Sequence, residues 1–340
     1  MIKTLELSGT HYEIGYQVGT LFKDYLSKRV KDFEPMMKLD DVKQTVSSMK
    51  EQFEKEYPQG YEEVLGRKDG AGIDSDAFFL MFFPEIYKKH TGCTTIMVRD
   101  KDGQILFSHN EDDEGFNEDN VALIRYHYGD YWITGYTHAE KLIGCFFGYN
   151  SYGLAFSSNN ISSFTTRYDY VSRYLLERKI LEAKSLPEAI RIANGLRVAT
   201  PFSINVVDIE RNEAANIEKD HEEIYVTYLE DRYNRSNHFL KKQGEVKISG
   251  NTVFRYEKAK ELLQDVKKET VVLDDLINIL SYREDDRYQS IRIDTQANRG
   301  NNKTVANFAV NVKEKKIYLR DYVGDHLFLF DFYDFKDLNQ

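Results

Sequence analysis

The sequence has few cysteines, the residues whose disulfide bonds stabilise many small secreted proteins. Only two cysteines occur among its 340 residues, Cys93 and Cys145. Two cysteines allow neither a framework of several disulfides nor a zinc site made of cysteines alone, so each needs its own explanation. We expect no metal ion, because the turn at Asp100, Asp102 and Gly103 lacks the ligand spacing of a calcium-binding loop.

Long apolar runs and excess positive charge are also missing. The longest apolar stretches, such as 77–84, fall far short of the ~20 residues of a membrane-spanning helix, and no apolar signal core follows the Met-Ile-Lys start. The net charge is −10, from 46 Lys and Arg against 56 Asp and Glu, without a basic stripe. We therefore expect a cytoplasmic protein with no membrane span and no nucleic-acid partner. A homo-oligomer is compatible with this composition.

Aromatic residues are abundant, whereas proline is scarce. The chain has 24 Tyr and 21 Phe but only 5 Pro, a composition that favours extensive β-structure. Hydrophobic residues make up 41% and charged residues 30%, which is typical of a globular protein. The length fits one catalytic domain with an additional segment.

The pattern of apolar residues changes near residue 93. Helical spacing predominates before it, at 12–30 and 40–57, whereas strand patterns begin at 94–99 and 104–109, joined across a hairpin turn signal at Asp102-Gly103. We therefore predict an α-rich segment to about residue 89 and an α+β layered domain from residue 94 onward.

The remainder of the chain alternates groups of strands with helices. Strands are predicted at 121–128, 131–136, 142–149, 153–158, 202–209, 214–218, 223–229, 304–312, 316–322 and 326–330. Helices are predicted at 168–196, with an interruption near Pro187, and at 252–267 and 272–281.

Cys93 lies between the flexible Gly92 and a β-branched strand start. On composition alone, a single cysteine is more often a small buried hydrophobe than a nucleophile. A nucleophilic thiol needs a base, and cleavage of the bond between Gly92 and Cys93 would supply one, because a free α-amine titrates near ~8.

Other polar segments are equally ordinary when each is taken alone. The acidic run 108–114 predicts a solvated loop, with a calcium loop or a site element as alternatives. Asn159-Asn160 and Asn237 are typical of strand and loop ends, although side-chain amides can also hold an oxyanion. Cys145 falls in an apolar run, and we expect it to be dispensable for activity.

Several segments, taken together and in order, resemble one family. The chain is similar to the penicillin acyltransferase (acyl-CoA:6-aminopenicillanic acid acyltransferase) family, a branch of the N-terminal nucleophile (Ntn) hydrolases related to penicillin V acylases and bile salt hydrolases. The resemblance is carried by residues 9–19 and 63–72, Gly92-Cys93-Thr94, Asn110-Glu111-Asp112, the turn at 150–153, Asn237-His238-Phe239 and Ser290-Ile291-Arg292. Two departures are His109, where bile salt hydrolases carry Arg, and the stretch around Ser290, which is only partly kept.

The resemblance implies a four-layer αββα sandwich with Cys93 opening a central strand. It implies that the Cys93 thiol cuts the Gly92–Cys93 bond. The cut would divide the chain into an α-rich leader segment at 1–92, released as a small subunit, and an α+β catalytic domain at 93–340. The new α-amine of Cys93 would then serve as the base, with Asp112 orienting it. Asn160, seven residues after Gly153 as in the relatives, and Asn237 would hold the oxyanion. Further candidate site residues are His109, Asn110, Ser290 and Arg292.

The function implied is a self-processing cysteine amidohydrolase that cleaves the amide C–N bond of an N-acylated small molecule through a thioester. One alternative is an acyl-CoA-dependent N-acyltransferase, and another is a catalytically silent small-molecule binder on the same fold. We expect no cofactor; a CoA thioester would be a co-substrate of the transferase alone.

Overall fold

The computed structural model describes residues 3–87, 92–113, 120–248, 250–284, 289–293 and 303–339. Thr91 and Glu114, which belong to two of the predicted motifs, lie outside these ranges. The helices are α1 (His11–Leu21), α2 (Lys23–Phe33), α3 (Asp40–Glu56), α4 (Pro58–Ala71), α5 (Ala77–Leu80), α6 (Arg173–Leu181), α7 (Leu186–Gly195), α8 (Thr252–Asp265) and α9 (Leu273–Leu280). The strands are β1 (Lys3–Ser8), β2 (Cys93–Arg99), β3 (Ile105–Asp113), β4 (Val121–His127), β5 (Trp132–His138), β6 (Phe147–Asn150), β7 (Leu154–Asn160), β8 (Phe202–Asp208), β9 (Glu213–Lys219), β10 (Ile224–Tyr228), β11 (Arg232–Arg235), β12 (Lys303–Asn311), β13 (Lys316–Asp321) and β14 (His326–Asp331). None of the helices in these ranges is both long and apolar enough to cross a membrane.

In the part of the chain that the structure describes, the strands form two sheets. The larger sheet has eight strands in the order β1-β4-β5-β6-β7-β8-β9-β10, and the smaller has six in the order β11-β2-β3-β12-β13-β14. The pairing of β1 with β4 is parallel, and the other pairs are antiparallel. The strand that begins at Cys93 therefore has a hydrogen-bonded neighbour on each side.

Three clusters of buried apolar side chains fill the spaces between layers. One joins α1–α7 to the outer face of the larger sheet, the second lies between the sheets, and the third joins the smaller sheet to α8 and α9. Successive side chains of a strand point to opposite faces. Val206 accordingly joins the first cluster and Val207 the second, while Met97 joins the second and Val98 the third. This arrangement confirms the predicted four-layer αββα sandwich.

The leader segment is built into the sandwich. Its β1 forms the edge of the larger sheet, and α1–α5 cover much of the outer face of that sheet. A buried charge network joins the leader segment to residues that follow position 93. Glu63 on α4 pairs with Arg67 at 3.0 Å and with Arg178 on α6 at 3.3 Å. Arg67 also donates to the backbone oxygens of Ala139 and Lys141, at 3.0 and 2.7 Å.

Three sequence predictions are wrong in their details. In the predicted helix 168–196, residues 168–172 are not helical, and the break falls at 182–185, whereas Pro187 lies in the first turn of α7. Residues 142–146 precede β6 and are not a strand, so Cys145 lies in a connection, where it is buried. Residues 110–113 form the end of β3 and are buried, whereas the sequence alone predicted a solvated loop. Their charge is tolerated because opposite charges are buried beside them, such as Lys141, whose Nζ lies 2.8 Å from Asp113.

Glycines allow α1 and α4 to approach to backbone contact. A Cβ atom on Gly15 would lie 2.0 Å from the Glu63 oxygen, and one on Gly66 would lie 2.0 Å from the Tyr12 oxygen. Both partners are backbone atoms, which cannot rotate away as a side chain can.

We predict that Gly15→Ala destabilises the fold, although alanine favours helices by up to ~1 kcal/mol. The clash should outweigh that gain and lower the free energy of unfolding by about 1–3 kcal/mol or more. Urea titration of the purified proteins measures the difference. The control is Gly195→Ala at the end of α7, where an added Cβ meets nothing within 4 Å. A Gly15→Ala protein as stable as Gly195→Ala would contradict the backbone contact.

Candidate active site

Cys93 is the first residue of β2 and is 3% exposed. In the register of β2 with β3 it lies opposite Glu111. Thr95, two residues along the same strand, reaches Asn159 and Asn205 on the larger sheet. Since side chains two residues apart share a face, the Cys93 thiol is on the face turned toward the larger sheet.

The peptide junction before Cys93 is held by hydrogen bonds on both sides. The Asp112 backbone N–H donates to the Gly92 oxygen at 2.9 Å, and the Cys93 N–H donates to Asn237 Oδ1 at 2.8 Å. A Cβ on residue 92 would lie 2.9 Å from both Arg255 Nη2 and Asp112 Oδ2. Glycine is therefore the residue that fits this junction without displacing either charged group.

The thiol touches a chain of polar groups. Cys93 Sγ lies 3.4 Å from Glu111 Oε2, which lies 3.2 Å from His109 Nε2. The other ring nitrogen, Nδ1, lies 2.8 Å from Thr95 Oγ1, and that hydroxyl donates to Asn159 Oδ1 at 2.9 Å. Glu111 and His109 are two residues apart on β3, so one strand presents both to the thiol.

Arg255 on α8 binds the site from the helical side. Its Nη1 donates to the Cys93 oxygen at 2.5 Å and to Thr94 Oγ1 at 2.7 Å, while Nη2 donates to Asn237 Oδ1 at 2.6 Å. The sequence analysis missed this residue, because an arginine inside an amphipathic helix is usually solvated and no motif marks it. It is the arginine whose contacts reach the Cys93 backbone, whereas Arg292 lies over the Tyr322 ring at 3.9 Å.

The two carboxylate oxygens of Asp112 have different surroundings, and one of them lies beside the peptide group between Gly92 and Cys93. Its Oδ1 accepts a hydrogen bond from Thr304 Oγ1 at 2.6 Å. Its Oδ2 is buried and, among the described residues, has no hydrogen-bond partner; Arg255 Nη1 lies 4.0 Å away. Burial raises the pKa of Asp112 to about 6, although Arg255 and Thr304 oppose the shift.

The two asparagines predicted for the oxyanion are linked. Asn237 Nδ2 donates to the backbone oxygen of Asn160 at 2.8 Å, and the Asn160 side chain accepts from Arg173 on α6. Asn159, the neighbour of the predicted Asn160, is the residue whose side chain accepts a hydrogen bond from Thr95 Oγ1. The hydrogen bond from Asn237 to Asn160 thus connects the end of β7 to the residue that binds the Cys93 nitrogen.

Other predicted residues have structural contacts. Asn110 Nδ2 donates to the Leu280 oxygen at the end of α9, and its Oδ1 accepts from Asn307 Nδ2. Ser290 Oγ bonds to the backbone of Glu284. The Asn110 contact with Leu280 anchors β3 to α9, and the Ser290 contacts join residue 290 to residue 284.

Burial controls the protonation of the site. Desolvation, followed by the charges of Glu111 and Asp112, raises the pKa of the Cys93 thiol well above its ordinary value. Desolvation and Asp113 raise the pKa of Glu111 in the same way. Burial lowers the pKa of His109 to about 3. In the uncut chain at neutral pH, the thiol is therefore protonated and the imidazole is neutral.

Cys93, His109 and Glu111 also form a set with ligand atoms suited to a metal ion. Their sulfur, nitrogen and oxygen atoms lie within 4.8 Å of one another, and zinc accepts all three types of ligand. Hydrogen bonds already join the sulfur and the imidazole to the Glu111 oxygen, and these bonds account for the proximity without an ion.

A sequence model of the acyl-coenzyme A:6-aminopenicillanic acid acyl-transferase family matches residues 98–321. The chain belongs to this family. The matched span includes Asp112, Asn160 and Asn237 and begins five residues after Cys93. The family is named for the transfer of an acyl group from coenzyme A.

One curated relative is the beta-alanyl-dopamine/carcinine hydrolase of Drosophila melanogaster, 28% identical over 248 residues. The match covers 60% of this chain and 60% of the relative's length. Similar solved structures include a conjugated bile acid hydrolase variant from Clostridium perfringens, with a TM-score of 0.49, 13% identity and coverage of 70% of this chain and 92% of that one. Penicillin V acylase from Agrobacterium tumefaciens has a TM-score of 0.47 and 14% identity, and covers 70% of this chain and 86% of that one.

We predict that Asp112 makes stability depend on pH. Its carboxyl binds a proton more readily in the folded chain, so its contribution is fully present below the unfolded pKa and is lost as pH rises through about 6. In a Cys93→Ala background, Asp112→Asn should remove ~1 kcal/mol of the stability difference between about pH 5 and 7.5. Urea unfolding at both pH values measures it.

The control for this experiment is Asp102→Asn. Asp102 is exposed, and a hydrogen bond from Lys313 lowers its pKa, so its removal should not reduce the stabilisation at low pH. If Asp112→Asn leaves the pH dependence of stability unchanged, then the Asp112 carboxyl is not held in its neutral form by burial.

Proposed function

We propose that this chain is a self-processing cysteine amidohydrolase that cleaves its own Gly92–Cys93 bond and then hydrolyses the amide C–N bond of an N-acylated small molecule. The observation that carries the proposal is that hydrogen bonds hold the peptide group between Gly92 and Cys93 on both sides. A thiol begins a central strand, the carbonyl before it accepts a backbone N–H, and its own nitrogen is bound by a side-chain amide.

The self-cleavage proposed is an N-to-S acyl shift. Cys93 Sγ attacks the Gly92 carbonyl carbon, the C–N bond breaks, and the result is a thioester and a free α-amine. Water then adds to the thioester, which gives Gly92 a carboxylate and returns a proton to the thiol. The two pieces stay associated, because β1 pairs with β4 and Glu63 pairs with Arg178 across the cut.

In the cleaved protein the new amine acts as the base for the thiol. It accepts the thiol proton while sulfur attacks the substrate carbonyl, and the acyl group then passes from sulfur to water. The position of Asp112 Oδ2 beside Gly92 supports a role in orienting this amine. Asn160 and Asn237 are proposed to stabilise the oxyanion, donors whose loss costs ~3–4 kcal/mol at comparable sites.

We propose amides of small acids with amines as the first substrates to test. The Drosophila relative is named for hydrolysis of beta-alanyl-dopamine and carcinine, and its match to this chain supports trying β-alanyl amides first. Phenoxyacetyl and other aryl-acyl amides, N-acyl amino acids and bile salt conjugates complete the panel. No cofactor is required, since the thiol, the amine and water supply the groups that react.

A transferase is the second candidate, because the matched family is named for acyl-coenzyme A-dependent transfer. The two functions differ in whether water or an amine takes the acyl group from sulfur. Acyl-CoA thioesters with amine acceptors therefore belong in the same panel. A silent binding protein is disfavoured, since binding alone does not require a thiol with its nitrogen and preceding carbonyl both held.

We predict that wild-type protein separates under denaturing conditions into fragments 1–92 and 93–340. Intact-mass analysis measures the cut site. Cys93→Ala should stay whole, because alanine has no nucleophile. Cys145→Ser is the matched thiol control and should still be cut, since Cys145 Sγ contacts the Tyr174 oxygen rather than the site. Whole wild-type protein that hydrolyses amides through Cys93 would contradict self-cleavage.

We also predict that Asn237→Ala lowers kcat about 100-fold to 1000-fold with KM little changed, because an oxyanion donor acts on charge that develops in the transition state. Rates are measured on the cut fraction with the best substrate of the panel. Asn234→Ala is the control, since its side chain binds the Tyr256 oxygen. A raised KM at constant kcat would make Asn237 a substrate-binding residue instead.

A further inference from the structure

Self-cleavage, if the proposed function holds, needs a base that the uncut chain itself contains. Before the cut, the Cys93 nitrogen belongs to a peptide bond, and its lone pair is delocalised into the carbonyl. Its N–H donates to Asn237 Oδ1 at 2.8 Å. The group that would serve as base in the cleaved enzyme therefore cannot take the thiol proton during the first reaction.

Glu111 is the carboxylate in contact with the thiol. Its Oε2 lies 3.4 Å from Cys93 Sγ, and the two residues are paired directly across β2 and β3. Both are buried, Glu111 at 2% exposure and Cys93 at 3%. Strand pairing fixes both backbones, so the contact is an outcome of sheet register and not of a mobile loop.

We propose that Glu111 is the general base of self-cleavage: it takes the proton from Cys93 Sγ and returns it to the Cys93 nitrogen as the peptide bond breaks. The sulfur–carbon bond to Gly92 forms as the S–H bond breaks, and electrons move onto the Gly92 oxygen. When that oxygen's charge collapses back, the C–N bond breaks and the nitrogen receives the proton from Glu111. The products are the thioester, a neutral α-amine and the Glu111 carboxylate, so protons and charge balance.

The junction already supplies a donor for the charge on the Gly92 oxygen. The Asp112 N–H donates to this oxygen at 2.9 Å. A donor placed before reaction stabilises charge without reorganisation. Residues 111 and 112 thus serve two steps from adjacent positions, one through its side chain and the other through its backbone.

Charges around Glu111 strengthen it as a base. Among the described residues, the titratable groups around this carboxylate are Cys93 on β2, His109 and Asp113 on β3, Tyr136 on β5 and Lys141 between β5 and β6. Asp112 acts on it from the other face of β3, where Arg255 on α8 lies 4.0 Å from the Asp112 carboxylate. Desolvation and Asp113 raise its pKa, against the effect of Lys141. A carboxylate with a raised pKa holds a proton from a thiol better than an ordinary one.

His109 is a positioning residue in this scheme. Its Nε2 lies 3.2 Å from the same Glu111 oxygen, and its Nδ1 is fixed by Thr95. Because the imidazole is neutral, it orients Glu111 without adding the positive charge that would lower the carboxylate's pKa. An arginine at position 109 would add that charge.

The test follows cleavage of full-length chains over time after cell-free synthesis, with gel and intact-mass readouts at several pH values. Wild type should be cut faster as pH rises and Glu111 ionises. Glu111→Gln should be cut about 100-fold more slowly or worse at the upper end of the pH range, where the wild-type carboxylate is ionised, and the difference should shrink as pH falls. His109→Gln should retain cleavage but shift its pH profile. Glu177→Gln is the matched control, because Glu177 is also buried with its pKa raised, to about 7, yet it binds Ser158. It should be cut at the wild-type rate.

The outcomes separate this proposal from the one it rests on. If wild type is never cut, the proposed function fails. If wild type is cut and Cys93→Ala is not, but Glu111→Gln is cut at the wild-type rate, then Glu111 is not the base and only the present proposal falls. Circular dichroism shows whether Glu111→Gln folds. If it does not fold, the pH dependence of wild-type cleavage tests the proposal instead. A wild-type cleavage rate that does not change between about pH 5 and 9 is incompatible with a carboxylate base of raised pKa and would overturn the proposal.

Discussion

The site depends on the pairing of β2 with β3 at the point where β2 begins. This pairing places Glu111 opposite Cys93 and brings the Asp112 N–H to the Gly92 oxygen. Each of these relations is set by backbone hydrogen bonds of a central strand pair. A shift of one residue in this register would turn Glu111 to the opposite face and remove the donor from the carbonyl. Register is strongly fixed here, because side chains on both faces of β2 are buried in separate apolar clusters.

The second constraint is the burial of three successive acids, Glu111, Asp112 and Asp113. Burying charge is costly unless each charge is compensated. The structure gives each acid a different partner: the thiol and imidazole for Glu111, Thr304 and Arg255 for Asp112, and Lys141 for Asp113. Their different surroundings allow adjacent carboxyls to hold protons with different affinity. In the mechanism proposed above, that difference lets Glu111 serve as a base while Asp112 orients an amine.

Much of the architecture could be predicted from local pattern. The helices α1 to α3 and the strands β2, β4 and β5 follow the apolar spacing of the sequence closely, because burial on one or two faces leaves that pattern. β1 and β11 were not predicted, since short strands with polar residues depend on their sheet neighbours rather than on their own composition. The sequence also could not show that 110–113 is buried, because the compensating Lys141 and Arg255 are far away in the chain.

The roles of single residues divide in the same way. Resemblance was enough to nominate Cys93, Asp112, Asn160 and Asn237, and the structure joins the first, second and fourth at one junction. The roles of Arg255 and Glu111 emerge only from the three-dimensional arrangement. Arg255 comes from a helix, and Glu111, although it belongs to a segment that carries the resemblance, was given no role of its own there. Residues brought together by tertiary packing leave no local signal in the sequence.

In the proposed mechanism, the uncut chain holds its own Gly92–Cys93 bond in position for attack by the thiol. A crystal structure of the uncut Cys93→Ala protein would show this arrangement before the reaction. We expect the Gly92 oxygen within hydrogen-bond distance of the Asp112 nitrogen, the nitrogen of residue 93 bound to Asn237 Oδ1, and Glu111 Oε2 facing the Cβ of residue 93. A Gly92 carbonyl turned away from Asp112, with residue 93 unbound by Asn237, would contradict it.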